Sequence, residues 1–406
     1  MKTLKKYGIF TVIVLIAVTM LVFATQRRGT YSKAISKTAG SFIKDAVNYK
    51  ALTPQPPTEF DSLQISDPVG HRNLQIFIIS SKKESASADY ITLSEAIEKR
   101  VVKVHETGSV NQLAITNSSD NYIFIHSGDI VKGGKQDRTI SDDMLIPPRA
   151  KNMPLESFCV ESGRWQKRGT EKADQFSSNS AMLSSRKLKI AARHDKNQSA
   201  VWSNVAEQQN KLNENISKMN GENIDVRSNR SATSLQLTLE NKELEKIMKE
   251  FIDKFNALPV DKKNTVGFAY AVNGEVYGID IYYNHALFSE LWNKLLNSAI
   301  VEAISDMDKQ EPGERADVED VVELMKQPPS KNNNKRNIND ETELMISEDD
   351  DIILFETRDK ENRCLHKNYI KQDKNEPDQD NNTNQRIYNN NDLNNRINTD
   401  QEQRRQ

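Results

Sequence analysis

Cysteine is nearly missing from this chain. Cys159 and Cys364 are the only two in 406 residues, too few for a disulfide framework or a cysteine-built zinc site. Histidine is also scarce. The nearest approach to a donor set is His105, Glu106, His126, Asp129 and Glu161, and none of these falls at a recognised ligand spacing, so neither a metal nor a cofactor is expected. An excess of charge of one sign is missing too: the formal net charge is −2, which leaves no global field to attract nucleic acid. No serine sits in a nucleophile elbow and no pair of carboxylates is set up for glycoside chemistry. The hydrophobic set makes up 36% and charged residues 28%, a poor balance for a chain folded from end to end. That deficit lies in the C-terminal quarter.

The N-terminus is where the apolar residues concentrate. Three lysines within Met1–Lys6 precede Tyr7–Ala24, which is free of charge, and Arg27–Arg28 follow. This is the pattern of a signal peptide or an N-terminal membrane anchor over 1–24, with Val22-Phe23-Ala24 as an acceptable cleavage site. No cysteine follows the run, which excludes a lipoprotein. The chain is therefore expected to be exported to the cell envelope or periplasm, anchored to the membrane through this segment or secreted. Residues 25–59, ending in TPQPPTEF, read as a linker whose prolines favour an extended course.

From residue 60 to 305 the patterns predict a single α+β domain with an antiparallel, β-rich N-terminal half packed with later helices. LQIFIIS, VVKVHE, VNQLAITN and NYIFIH have strand length and character. Thr92 with Glu95 three positions later forms a capping-box pattern for a short helix. Ser180–Leu212 lacks Gly and Pro, and Leu188, Ala191, Ala192 and Trp202 suit one helical face. Leu244, Ile247, Phe251 and Phe255 give Leu237–Leu258 an amphipathic stripe. Asn273–Gly274 between two apolar runs predicts a type I′ hairpin, and Asn284 is placed to cap the helix after it. Residues 306–406, rich in Asn, Asp and Lys, read as a mostly disordered tail with a short hairpin near 351–370.

The chemistry concentrates in Ser127–Trp165. Gly128-Asp-Ile-Val-Lys-Gly-Gly-Lys-Gln approaches a phosphate-binding loop, but its lysine is displaced by one position and Gln136 stands where Ser or Thr must bind magnesium. A looser anion cradle remains: Gly133 and Gly134 turn backbone N–H groups toward one point, and Lys132, Lys135, Gln136, Arg138 and Arg149 surround it. Arg164 offers a planar fork for phosphate or carboxylate, and Trp165 a stacking face. The plain alternative is internal pairing of Arg164 with Glu161 and of Arg138 with Glu106, with Trp165 capping the core. Cys159 reads as a small buried residue; the alternatives are a thiol nucleophile served by His105 or His126, or a disulfide to Cys364. Asp280 reads as structural, with an acid or base role as the alternative.

The segments TLSEAIEKRVVKVHE, GGKQDR, CVESGRW, QSAVW and NGEVYGIDIYYNHALFSELWNKLL, in this order over roughly residues 60–305, resemble the ARG and Rhodanese-Phosphatase-superfamily-associated protein domain. The resemblance implies a setting of ADP-ribose or phosphoester metabolism and supplies no mechanism. Two readings follow. In one, a binding module holds a small anionic group between the Gly133–Gly134 turn and Arg164. In the other, a hydrolase acts on a phosphoester or ADP-ribose-type substrate with Glu106 or Glu161 as base and Arg138 as stabiliser.

Overall fold

Strand pairing dominates the fold. The computed structural model describes residues 62–82, 90–259, 264–307, 315–326 and 332–373; the expected signal or anchor segment, the linker and the chain beyond 373 lie outside them. Three β assemblies make up the body, and all but one of their strand pairs are antiparallel, as the sequence pattern predicts.

The largest assembly is a nine-stranded sheet. Its strands are β1 (Leu63–Ile65), β2 (Val69–His71), β3 (Leu74–Ser81), β13 (Thr265–Val272), β14 (Glu275–Tyr282), β15 (Asn332–Asn339), β16 (Thr342–Glu348), β17 (Ile352–Asp359) and β18 (Cys364–Lys371). They run in the order β1-β3-β13-β14-β18-β17-β16-β15, with β2 also on β3. The β13–β14 turn is the hairpin signalled by Asn273–Gly274: both residues have positive φ, 54° and 83°, the geometry of a type I′ turn that matches strand twist.

The second assembly is a closed barrel ordered β11-β6-β5-β12-β8-β9. Its strands are β5 (Val102–Ser109), β6 (Gln112–Asn117), β8 (Asp129–Gly133), β9 (Arg138–Ile140), β11 (Met153–Cys159) and β12 (Gln175–Leu183). Alternate residues fill it: Val104, Leu113, Ile115, Val131, Ile140, Leu155 and Phe176 belong to one buried cluster, while Ile130 and Phe158 on the other face join the main core. A small sheet of β10 (Met144–Ile146), β7 (Tyr122–Ile125) and β4 (Tyr90–Thr92) adds to the barrel cluster. Its β4–β7 pair is parallel, the exception to the antiparallel expectation.

Seven α-helices lie among the described residues. Thr92 caps α1 (Leu93–Glu98) by accepting from the Glu95 N–H, but Glu95 turns to Lys99, so only half of the capping box forms. The helix predicted over 180–212 is replaced by β12, a short α2 (Arg186–Lys189), a π-helical turn at Ile190–His194, and α3 (Gln198–Asn220). The break is local: Lys196 has φ 51° and Asn197 caps α3 through the Ala200 N–H. A cap also divides the stretch 237–258 into α4 (Leu235–Leu239) and α5 (Lys242–Phe255), because the Asn241 side chain accepts from the Glu243 and Leu244 N–H groups. The stripe Leu244, Ile247, Phe251 and Phe255 is buried, each residue contributing roughly 1.5–3 kcal/mol. Asn284 caps α6 (His285–Ser305), which packs with α3 and α5 against the sheet and barrel.

The fold continues past residue 305, where composition suggested a tail. Helix α7 (Val318–Lys326) follows, then β15 to β18. The island at 351–370 forms β17 and β18, and β18 is paired on both sides, with β14 and β17. The Asn-rich run NNNKRNIN forms β15, an edge strand. A polar strand at a sheet edge carries the same composition as a disordered segment, so composition alone misplaces the boundary. Among the described residues, no helix is long and apolar enough to cross a membrane.

Candidate functional site

The tight turn between β8 and β9 closes one end of the barrel. Gly133 and Gly134 have φ of 126° and 58°. A Cβ on Gly134 would stand 2.6 Å from Phe176 Cζ and 2.7 Å from Glu106 Oε1, so glycine is required there on both counts. By register Arg138 lies beside Val131 and Cys159, on the face that fills the barrel. It is fully buried, donates to Gln136 O at 3.0 Å, and has Nη2 3.5 Å from Glu106 Oε1. Its Nε and Nη2 and the Glu106 Oε2 have no hydrogen-bond partner.

The segment after β11 supplies the rest. Glu161, also buried, receives Arg164 Nε at 2.8 Å and lies 2.7 Å from Arg164 Nη2. Arg164 also donates to the Gly134 and Gln166 carbonyls. Asp137, completely buried, accepts from both Nη atoms of Arg168, from the Gly133 N–H and from the Ser234 hydroxyl. Gln136 donates to Glu161 O. Trp165 lies outermost, 45% exposed, with Lys135 Nζ 4.9 Å and the Arg138 guanidinium 5.6 Å from its ring.

Gly133, Gly134, Lys135, Gln136, Arg138, Glu106, Glu161, Arg164 and Trp165 therefore gather at one barrel end. Lys132 does not join them, being held by both oxygens of Glu240; Arg149 pairs with Asp120 at the surface. The guanidiniums come with their own carboxylates, Arg138 with Glu106 and Arg164 with Glu161. Among the described residues Lys135 has no carboxylate within ion-pair distance; its backbone N–H donates to Glu106. Burial would raise the Glu161 pKa, but the Arg164 hydrogen bonds outweigh it and hold the carboxyl below its ordinary range, which makes it a weak base. Burial pushes the Cys159 thiol up to about 11, with Arg138 pulling the other way, so Cys159 is a core residue and a poor nucleophile. Neither cysteine is in a disulfide, so the Cys159–Cys364 bridge considered from sequence does not form.

A second polar centre lies between the barrel and the nine-stranded sheet. In register, Asp280 faces Asn368 and Tyr282 faces His366 across β14 and β18. His366 Nδ1 donates to Asp143 Oδ2 and Nε2 to Asp280 Oδ1, each at 2.9 Å. His126, at the end of β7, has Nδ1 2.5 Å from Ser127 O and Nε2 2.7 Å from Tyr282 Oη. A carbonyl only accepts, so Nδ1 carries the hydrogen and Nε2 takes the Tyr282 hydroxyl. Asp143 also receives the Ser127 N–H, Arg193 Nη2 and the Thr357 hydroxyl. All of these side chains are fully or almost fully buried. Burial drives the His126 imidazole down to about 3. Burial also opposes charge on His366, yet Asp143 and Asp280 prevail and raise its pKa. Ligand atoms of His126, Asp280 and His366 lie within 4.8 Å of one another.

Sequence reasoning assembled the first centre and missed the second. For the barrel end it overlooked Asp137 and Arg168, although Asp137 stands beside Arg138 in GGKQDR. For the second it weighed His126 and Asp280 separately and passed over Asp143, Arg193 and His366, which no spacing joins.

No curated protein matches this chain, and no solved structure does either. A family model, described as ARG and Rhodanese-Phosphatase-superfamily-associated Protein domain, matches residues 62–370. That span covers the barrel, the helices and the sheet through β18, and the chain belongs to this family.

Proposed function

We propose that the domain is an exported or membrane-tethered binding module that recognises a small anionic ligand of the phosphate or ADP-ribose type at the turn-closed end of the barrel. Trp165 carries this reading. It is one of three large hydrophobic residues exposed among the described residues, and its ring is flanked by Lys135, the cation of that cluster without a carboxylate partner. A planar base or sugar stacks on such a face, at roughly 1–3 kcal/mol per base, while Lys135 meets the charge. The family description, with its rhodanese-phosphatase association, is compatible with a phosphate-bearing ligand. Binding is favoured over hydrolysis because Arg164 holds both oxygens of Glu161, and the Glu106 side chain is buried beside the Arg138 guanidinium with one oxygen taken by the Lys135 N–H.

The test titrates the full chain with ADP-ribose, ADP and inorganic phosphate, following tryptophan fluorescence, melting temperature and product release. ADP-ribose is expected to quench fluorescence and raise the melting temperature without turnover. Trp165→Ala and Lys135→Ala are each expected to weaken it about tenfold. Affinity unchanged in both variants overturns the site; turnover that disappears in Glu106→Gln establishes the hydrolase instead. The location is tested by fractionating cells that express the chain with and without residues 1–24: the complete chain is expected outside the cytoplasm, in membrane or soluble envelope fractions, and the shortened one within it.

A further inference from the structure

The buried histidines have the orientation of metal ligands. In each, Nδ1 is given to an acceptor, Ser127 O for His126 and Asp143 for His366. Each Nε2 then turns inward, one to the Tyr282 hydroxyl and one to Asp280 Oδ1. Backing one ring nitrogen with a carboxylate or carbonyl is how proteins fix the tautomer and direction of a ligating imidazole. We propose that His126, Asp280 and His366 bind one divalent first-row transition cation of the zinc type.

The supporting groups fit this reading. Arg193 neutralises Asp143 at 2.7 Å, and Ser127 N–H and Thr357 hold it in place, so Asp143 serves as a support and Asp280 as the anionic ligand. Asn368 Nδ2 aims Asp280 at 3.0 Å. The Asn368 Oδ1 is buried without a hydrogen-bond partner, and the small void that Asp280 and Asn368 border has neither histidine in its lining, so the cation sits among the three ligand atoms themselves. Two imidazole nitrogens, one carboxylate and a neighbouring phenol form a borderline donor set that suits zinc better than calcium or magnesium. The cation takes the place of the hydrogen between His366 Nε2 and Asp280 Oδ1. Ligand atoms on a tetrahedral ion stand roughly 3.3 Å apart, so the triad, with atoms now up to 4.8 Å apart, closes as it binds. The charge of Lys189 acts on both His126 and Asp280 and opposes the cation, as does that of Arg193.

The experiment strips the full chain with a chelator and titrates it with cobalt(II), followed by zinc(II) in competition. One cobalt per chain is expected, with ligand-field absorption in the visible that zinc abolishes. His126→Gln keeps a group able to meet Tyr282 and leaves the Asp143 partners in place; with folding confirmed by circular dichroism, its affinity is expected to fall by more than about tenfold. Lys189→Met is expected to tighten binding. A folded wild-type chain that takes up neither metal stoichiometrically overturns the proposal, as does a His126→Gln variant with unchanged affinity.

Discussion

The two buried centres differ most in the distance along the chain from which their members come. At the barrel end, Arg168 reaches an aspartate 31 residues away; between barrel and sheet, His366 reaches one 223 residues away. Both use arginine to neutralise a buried carboxylate. One ties a turn to its neighbouring loop and, through Ser234, to the start of α4, whereas the other ties the small sheet, the π-helical turn and the C-terminal strands to a single aspartate. Equal chemistry thus has unequal reach: loss of the first loosens one barrel end and a helix start, and loss of the second separates several elements.

Asp143→Ala is the strongest way to break that comparison. It leaves Arg193, His366, Thr357 and the Ser127 N–H without their shared partner, and a cost of about 3–5 kcal/mol is expected in urea denaturation. Asp137→Ala frees Arg168 from its bidentate partner but leaves it Glu171, so a smaller loss of about 2–3 kcal/mol is expected by the same measurement. If the two orders reverse, reach does not govern the cost. Gly134→Ala, which forces a Cβ against Phe176 and Glu106, is expected to lower stability by about 1–3 kcal/mol. The acid limb sharpens the picture further. Glu161 has a pKa depressed in the folded state, so its contribution is present above the ordinary value of 4.5 and is lost as the pH falls through the lower folded one. Glu161→Gln is therefore expected to flatten the stability–pH curve in that window. Trp165→Ala is expected to change stability by no more than about 0.5 kcal/mol, which separates a surface ligand contact from the ion pairs beneath it.

This contrast also explains what was legible before the structure. Most of the barrel end came from one stretch, so glycine pair, cations and acids were visible together, and even the pairs Arg138–Glu106 and Arg164–Glu161 were open to proposal. The centre between barrel and sheet was not visible, because His126, Arg193 and His366 become neighbours only through strand order and a helix break at Lys196. The Asn273–Gly274 hairpin and the caps Thr92 and Asn284 were legible because their physics spans a few residues. Strand β12 was hidden in a stretch without Gly or Pro that suited a helix, and β15 was hidden by its own polar edge.

Strand β18 has one more consequence, for how the protein is made. It is nearly the last segment of the described chain to be synthesised, yet it occupies the middle of the large sheet, between β14 and β17. Until it emerges from the ribosome, β14 presents an open edge of unpaired amides and carbonyls, a template for wrong pairing. A nascent chain arrested before residue 364 is therefore a target for holding chaperones, and a stop codon just ahead of β18 matters as much as a lesion in the interior.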